Sequence, residues 1–365
     1  MPTLGKRILI TARLYGAGGT ETHLLQLCRL LVEQGAEVTL ACRYAHTSTP
    51  LVQQHKQIPI RLLTTRFSQD ISKYRWSTIA ACLLWPMKLR GKRFDVLYSL
   101  EMTRFLQFLA LFVRPGGRIL YNRAGMPADP SEHIDANIIK LLDAIIVESP
   151  FQANAAKQIY GQDVPVASLP LLGHICTPMP RAKPLSDEPL NIAFLGRYDE
   201  KKGIYRLLDI WPELEIGPAR LHYHGHGPEQ DHLKESIKRR GLEGEVIVNG
   251  GWKSASELGV ILSKTDLLVL PSEEEGLPLI LLEAMAHGVP FVASDVGAIP
   301  TLAEDNPDVR VVSLDNTSIK EAIEERAQTI RTGGIEASRL QAYFQSRYSY
   351  DVLSTRWSDI LLKAH

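Results

Sequence analysis

The sequence predicts an α/β protein of two doubly wound, Rossmann-like domains, and three observations predict it. Short apolar runs, with the length and β-branched content of buried strands, recur with helical stretches between them. Strand–helix alternation at this spacing means right-handed βαβ units and parallel sheets. The runs form two sets of about six, each enough for one doubly wound sheet. At 365 residues the chain is also too long for one ordinary core.

In the first half the expected strands are Ile8–Thr11, Val38–Cys42, Val96–Ser99, Arg118–Tyr121, Ala144–Val147 and Val166–Leu169. An amphipathic helix running to Glu33 follows the first of them. Residues Cys176 to Pro189 carry four prolines, which forbid helix or central strand and mark a linker. In the second half the expected strands are Asn191–Leu195, Leu221–His224, Val246–Val248, Leu267–Leu270, Pro290–Ala293 and Val309–Val312. The tail from Ile335 to Ala364 is helical in pattern and broken near Ser349. The first domain is accordingly placed at residues 1–178 and the second at 188–346, with a C-terminal helix from about 347 to 365.

Bulk composition narrows the function classes. Lys+Arg and Asp+Glu both number 41, so no global field draws nucleic acid. Cys28, Cys42, Cys82 and Cys176 fit neither a zinc site nor a secreted disulfide framework, and a reducing cytoplasm is the simpler setting. Met1 to Arg7 leads into an apolar strand without a signal-peptide apolar region. The longest apolar runs, such as Phe105–Val113, are far too short to span a bilayer. There is no Asp-x-Asp pair and no His/Asp cluster at metal-ligand spacing, so no metal or other cofactor is expected.

In open α/β sheets ligands bind at the carboxyl ends of strands, and the informative residues follow expected strands. The richest stretch is Pro271 to Gly288, with Pro278 suited to the first helical position and Gly288 to the cap beyond the last turn. Glu275 then lies in the loop at the positive end of the helix dipole, with Gly276, Leu277, Pro278 and Leu279 between it and the helix. Glu283 lies inside the helix among Leu281, Leu282, Ala284 and Met285, a costly place for a carboxylate without a hydrogen-bond donor. A polyol such as a sugar or ribose satisfies both glutamates, and the first-turn amides suit a phosphate. The alternative is an ordinary strand–loop–helix junction with Glu283 paired to a lysine or facing solvent.

Arg197 and Lys202 lie in the loop Gly196 to Gly203 after the first strand of the second half. Two cations there can clamp a diphosphate, the arginine fork gripping two oxygens; the alternative is a solvated Asp-Glu-Lys-Lys turn. Gly225 to Pro228 and Gly250 to Trp252 follow the next two strands and are candidate linings of a nucleotide pocket. In the first half, Gly16 to His23 opens the first helix, with Gly18 and Gly19 allowing close backbone approach and Thr20 equally a candidate N-cap. Glu21 stands where a dinucleotide fingerprint needs its third glycine, which weakens a nicotinamide dehydrogenase reading.

Together these pieces resemble the retaining glycosyltransferases of family four, which have the GT-B fold. The resemblance runs from Gly18–His23, through Gly196-Arg197 and Lys202-Gly203, to Glu275-Gly-Leu-Pro and Glu283-Ala-Met-Ala, and covers most of the chain. It implies two Rossmann-like domains facing each other across a cleft, the C-terminal helix crossing back to the first domain. It implies a nucleotide-sugar donor, UDP- or GDP-linked, held mainly by the C-terminal domain, with Arg197 and Lys202 on the diphosphate, Glu275 on the sugar hydroxyls and Glu283 on the ribose. The Gly18-Gly19 loop closes over the phosphates, and Glu21 and His23 are first-domain candidates. Retention without a covalent enzyme intermediate, assisted by the leaving phosphate, is the implied reaction. The implied acceptor is a glycan or a lipid-linked intermediate of lipopolysaccharide or polysaccharide type, held by the N-terminal domain. This chain departs from the pattern at Tyr121–Gly125, where Arg123 is the candidate cation in place of a histidine, at Leu172–Ile175, and at Thr301 in place of a glutamate.

Lys73 to Arg93 mixes basic residues, two tryptophans and an apolar middle, the composition of a helix that lies on an anionic membrane; a core-packed helix with basic ends is the alternative. The implied location is cytoplasmic, with the cytoplasmic face of the inner membrane a candidate surface. A nucleotide-sugar epimerase on the same fold and a non-catalytic binding or scaffold protein are the rival functions.

Overall fold

The computed structural model describes residues 5–12, 18–42, 45–46, 52, 54, 57–64, 67–68, 74–123, 135–173, 188–252 and 254–363. The chain divides into two compact units, Met1–Gly173 with Tyr350–His365, and His174–Ser349. The proline-rich stretch expected as a linker lies outside the described residues up to position 187.

The first unit carries β1 (Arg7–Thr11), β2 (Glu37–Cys42), β3 (Ala45–His46), β4 (Arg61–Thr64), β5 (Phe67–Ser68), β6 (Phe94–Ser99), β7 (Val113–Asn122), β8 (Ala144–Val147) and β9 (Val166–Ser168). Seven of them form one sheet in the order β4-β2-β1-β6-β7-β8-β9, while β3 and β5 pair separately. All pairs are parallel. The direction of winding reverses between β1 and β6. Alternation along β1 divides the core: Ile8 and Ile10 face the cluster holding Leu24, Leu27 and Trp357, and Leu9 faces the cluster holding Trp85, Leu97 and Phe105. The C-terminal helix Tyr350–Leu362 packs on the first of these faces through Leu353, Trp357 and Leu361. The break near Ser349 is real: one helix ends at Arg347 and the next starts at Tyr350.

The second unit carries β10 (Leu190–Leu195), β11 (Ala219–His224), β12 (Val246–Asn249), β13 (Leu267–Leu270), β14 (Phe291–Ser294) and β15 (Arg310–Val312). They form one parallel sheet in the order β12-β11-β10-β13-β14-β15. Its switch point lies between β10 and β13, and a ligand-binding crevice is expected outside their carboxyl ends.

Each strand expected from the sequence is present. The addition to the main sheet is β4, an edge strand behind Pro59 that buries Leu63 and leaves its other residues half-buried, without the continuous apolar run of a central strand. The helix Tyr74–Leu89 buries Ala81, Trp85 and Leu89, as a core-packed helix should, yet leaves Leu83, Leu84 and Met87 exposed. Among the described residues, no helix is long and apolar enough to cross a membrane.

Candidate active site

Two loops meet at the switch point of the second unit. One leaves β10 as Gly196–Gly203, the other leaves β13 as Pro271–Pro278. Two ion pairs join them, Lys201 to Glu274 at 2.9 Å and Lys202 to Glu275 at 2.7 Å, and a third links Arg206, in the helix Ile204–Ile210 that follows the first loop, to Glu273 at 3.6 Å. The Glu273 amide also donates to the Lys201 carbonyl at 2.8 Å. The Lys201–Glu274 pair is open to water and contributes little, and the Arg206–Glu273 pair is long and exposed on the glutamate side. Glu275 is the most enclosed of the three carboxylates, and its contact with Lys202 is the chemical centre of the junction.

Glu275 is held from two sides on one oxygen. The Lys202 ammonium and the Ser272 hydroxyl each donate to Oε1 at 2.7 Å. Ser272 is fully buried, and its carbonyl accepts the Ser294 hydroxyl from the end of β14. Among the described residues none donates to Oε2 of Glu275. The result is an oriented carboxylate with one oxygen available to an incoming hydroxyl, beside an ammonium.

Close backbone packing fixes this geometry. Gly203 sits at φ +74°, and a Cβ there would stand 2.0 Å from the Pro271 carbonyl oxygen. Gly297, at φ +58°, lies equally close to the Glu275 carbonyl, and the Ala298 amide donates to Gly276 O at 2.9 Å. Only glycine combines this backbone conformation with this approach. Gly203→Ala is therefore expected to destabilise the second unit by about 1–3 kcal/mol. Gly241→Ala is the control, because Gly241 shares the conformation at φ +68° but has nothing within 4 Å. Equal shifts of the urea midpoint in both variants would show that the Gly203–Pro271 approach is not a constraint.

A third loop is pinned to the first by Tyr198. Its buried hydroxyl lies 2.8 Å from Tyr223 O and 2.7 Å from Asn249 O, and its amide donates to His226 O at 3.0 Å. Burial pushes the phenol's pKa well up, so it stays a donor. Gly225 packs on the Gly196 carbonyl, whose own amide donates to His224 O at 3.0 Å. His226 accepts the Gly251 amide at 3.0 Å and so carries the Gly250-Gly251 turn. The carboxyl ends of β10, β11 and β12 are thus tied into one wall.

The other expected site residues fall as follows. Arg197 is 66% exposed in its side chain and lies 3.5 Å from Asp199, without joining the Lys202–Glu275 pair. Gly276 is partly buried, while Leu277, Pro278 and Leu279 are buried where the loop enters the helix Leu279–Ala286. Pro278 is the N-cap of that helix, with ψ 118°, rather than its first residue as expected; it has no side-chain oxygen to cap the first turn, and its carbonyl accepts the Leu281 amide at 3.1 Å. Gly288, at φ +72°, follows the C-cap as expected. Glu283 is buried on the helix, and its charge pulls upward against the burial that lowers the pKa of His287 one turn on.

In the first unit, Gly18 rather than Thr20 is the N-cap of the helix Gly19–Glu33; both glycines are exposed. Glu21 folds back so that Oε2 lies 3.0 Å from the place of a Gly18 Cβ, and it is buried at the helix start. Residues 13–17 of this loop lie outside the described residues. Arg123 follows β7 and its amide donates to Ile146 O at 2.9 Å. His23 corrects the expectation of a contact residue. It is fully buried, its Nδ1 accepts the Leu172 amide at 3.0 Å, its Nε2 lies 2.9 Å from the Tyr98 hydroxyl, and its ring packs on Trp357 at 4.7 Å. Burial lowers its pKa to about 3, which keeps it a neutral packing residue.

Sequence reasoning named Lys202 and Glu275 separately and missed Ser272, Tyr198 and Gly297. A serine three residues before a loop glutamate is a readable signal for a local side-chain hydrogen bond. Tyr198 gives none, because it stands inside an otherwise polar turn. Among the described residues no group of three or more His, Cys, Asp or Glu side chains could hold a metal ion.

Residues 189–329, which contain the whole junction, match the family described as glycosyl transferases group 1. Over 133 residues the chain is 32% identical to the putative colanic acid biosynthesis glycosyltransferase WcaL of Escherichia coli K12, covering 34% of this chain and 32% of that one. The chain spans about a third of the length of the first relatives it matches. Similarity in fold extends much further. The sucrose-phosphate synthase of Thermosynechococcus elongatus superposes with a TM-score of 0.79 at 17% identity, over 97% of this chain and 98% of that one. Anabaena Alr3699/HepE in complex with UDP-glucose superposes at 0.73 and 18% identity, over 97% and 99%. Both units thus share the two-domain Rossmann-like architecture of GT-B proteins. Residues 189–329 are thus similar to the glycosyl transferases group 1, in a chain that has the GT-B fold.

Proposed function

We propose that this protein transfers a sugar from a nucleotide diphosphate to a glycan or lipid-linked acceptor, with retention at the anomeric carbon and without a divalent ion or other cofactor. The observation that carries the reading is Glu275, oriented by Lys202 and Ser272 with Oε2 open at the switch point. Lys202 neutralises the leaving diphosphate, and Arg197 swings from Asp199 to share it. The first-turn amides beyond Pro278 receive a phosphate oxygen. Glu275 accepts hydroxyls of the donor sugar, and Glu283 holds the ribose. The bond from the anomeric carbon to the phosphate oxygen breaks, the bond to the acceptor oxygen forms on the same face, and the acceptor proton passes to the leaving phosphate.

UDP- or GDP-sugars are the proposed donors. HepE, solved with UDP-glucose, supports a nucleotide-sugar ligand, and WcaL, named for colanic acid biosynthesis, supports a polysaccharide-type acceptor. The proposed location is cytoplasmic, peripheral at the inner face of the inner membrane. A thermal-shift panel of UDP-, GDP-, ADP- and dTDP-sugars tests the reading. At a hundredfold excess over Kd the right donor is expected to stabilise the protein by about 2.7 kcal/mol. No shift with any nucleotide sugar removes the proposal.

A further inference from the structure

The helix Tyr74–Leu89 is apolar on two faces, and the protein covers one of them. Ala81, Trp85 and Leu89 recur at four-residue spacing and are fully buried, with the Trp85 ring 5.4 Å from Phe105. Leu83, Leu84 and Met87 lie about 150° around the helix from them, at 100° per residue. They are 70%, 49% and 78% exposed. A helix apolar on both sides belongs in a core or at a hydrocarbon boundary, and exposures this large mean side chains that stand clear of the surface. Leu111, 69% exposed, extends the apolar area: Arg93 donates to the Leu111 carbonyl at 2.8 Å and the Phe94 amide to Phe112 O at 2.9 Å, so the segment after the helix runs beside Leu111.

The charges around this face are mostly of one sign. Residues 74–118 hold eight Lys or Arg and two Asp or Glu, a local +6 in a chain whose net charge is zero. Lys88, Arg90 and Arg93 are exposed at the end of the helix. Of the two acids, Asp95 is paired with Arg114 at 2.7 Å and Glu101 is buried. Glu37, the acid that reaches Lys92, is shared with Arg7. An isologous dimer through this face would set one cationic rim against its own copy. An anionic lipid surface is attracted by the rim and accepts the leucines and the methionine in its interface. We propose that this face, Leu83, Leu84, Met87 and Leu111 rimmed by Lys88, Arg90 and Arg93, docks the protein on an anionic membrane.

The proposal is independent of sugar transfer, because vesicle binding needs neither donor nor acceptor. Full-length protein is floated with vesicles of phosphatidylcholine, with and without phosphatidylglycerol. Binding is expected only with phosphatidylglycerol, and to fall about tenfold or more at high salt. Leu83→Ser with Met87→Ser, and separately Lys88→Glu with Arg90→Glu, are each expected to lower the bound fraction about tenfold or more. These positions are exposed, so circular dichroism should be unchanged in both variants. Absence of binding to anionic vesicles at low salt, or binding indifferent to both variants, overturns the proposal. So does a wild-type dimer, seen by light scattering, that the Leu83/Met87 variant converts to monomer while vesicles bind neither form.

Discussion

Lys202→Ala is expected to lower turnover by about a hundred- to a thousandfold, and Glu275→Ala by a similar factor. Each of these side chains acts both on the other and on the donor. Lys202 lies 2.7 Å from Glu275, which fixes the ammonium at the junction. Preorganised charge of this kind stabilises a leaving group without reorganisation at the moment of reaction. Arg197 does not replace it, because its side chain is largely in water and tied to Asp199. Lys202→Arg should recover little activity, since a planar fork does not fit the place of a compact ammonium shared by Glu275 and the Glu274 carbonyl. Glu275→Gln keeps an oxygen for Ser272 but loses the charge, and should fall between wild type and alanine. The double alanine variant should be little worse than either single, because the two act as a unit. Near-native turnover in both single variants, with the fold intact, would sink the assignment.

The fold was legible in the sequence for a physical reason. Central parallel strands are covered on both faces, so β1, β2, β6, β8, β10 and β13 read as continuous apolar runs with little ambiguity. The edge strand β4 lacks that cover and its run Arg61-Leu-Leu-Thr64 carries no such signal. The site was half legible. Lys202 and Glu275 each stood after an expected strand, but their pairing spans 73 positions of sequence and depends on strand order. Strand order also explains the zipper of Glu273, Glu274 and Glu275 on Arg206, Lys201 and Lys202, where the sequence shows only two charged turns. His23 was misread because its partners are remote. Nothing near Gly18–His23 announces that Trp357, from the last helix, closes over the imidazole.

That closure makes Trp357→Ala the most damaging single change expected outside the site, at about 3–5 kcal/mol. The indole is fully buried in the cluster with Ile8, Ile10 and Leu27. Its ring lies 4.7 Å from His23 and 5.8 Å from Tyr98, and its Nε1 donates to Pro170 O at 2.9 Å. Truncation opens a cavity beneath the C-terminal helix and leaves a buried carbonyl without its donor. It also exposes a histidine that burial holds neutral, adding a route by which water and protons enter the core. Trp357→Phe retains most of the packing and loses the hydrogen bond, so about 1–2 kcal/mol is expected. Hydrogen exchange separates this from a general loss of stability. Amides of β1, β2 and β6 should lose protection together, while those of β10 and β13, in the other unit, keep theirs. Unchanged protection in β1 would mean that the last helix is an ornament on the first unit rather than part of its core.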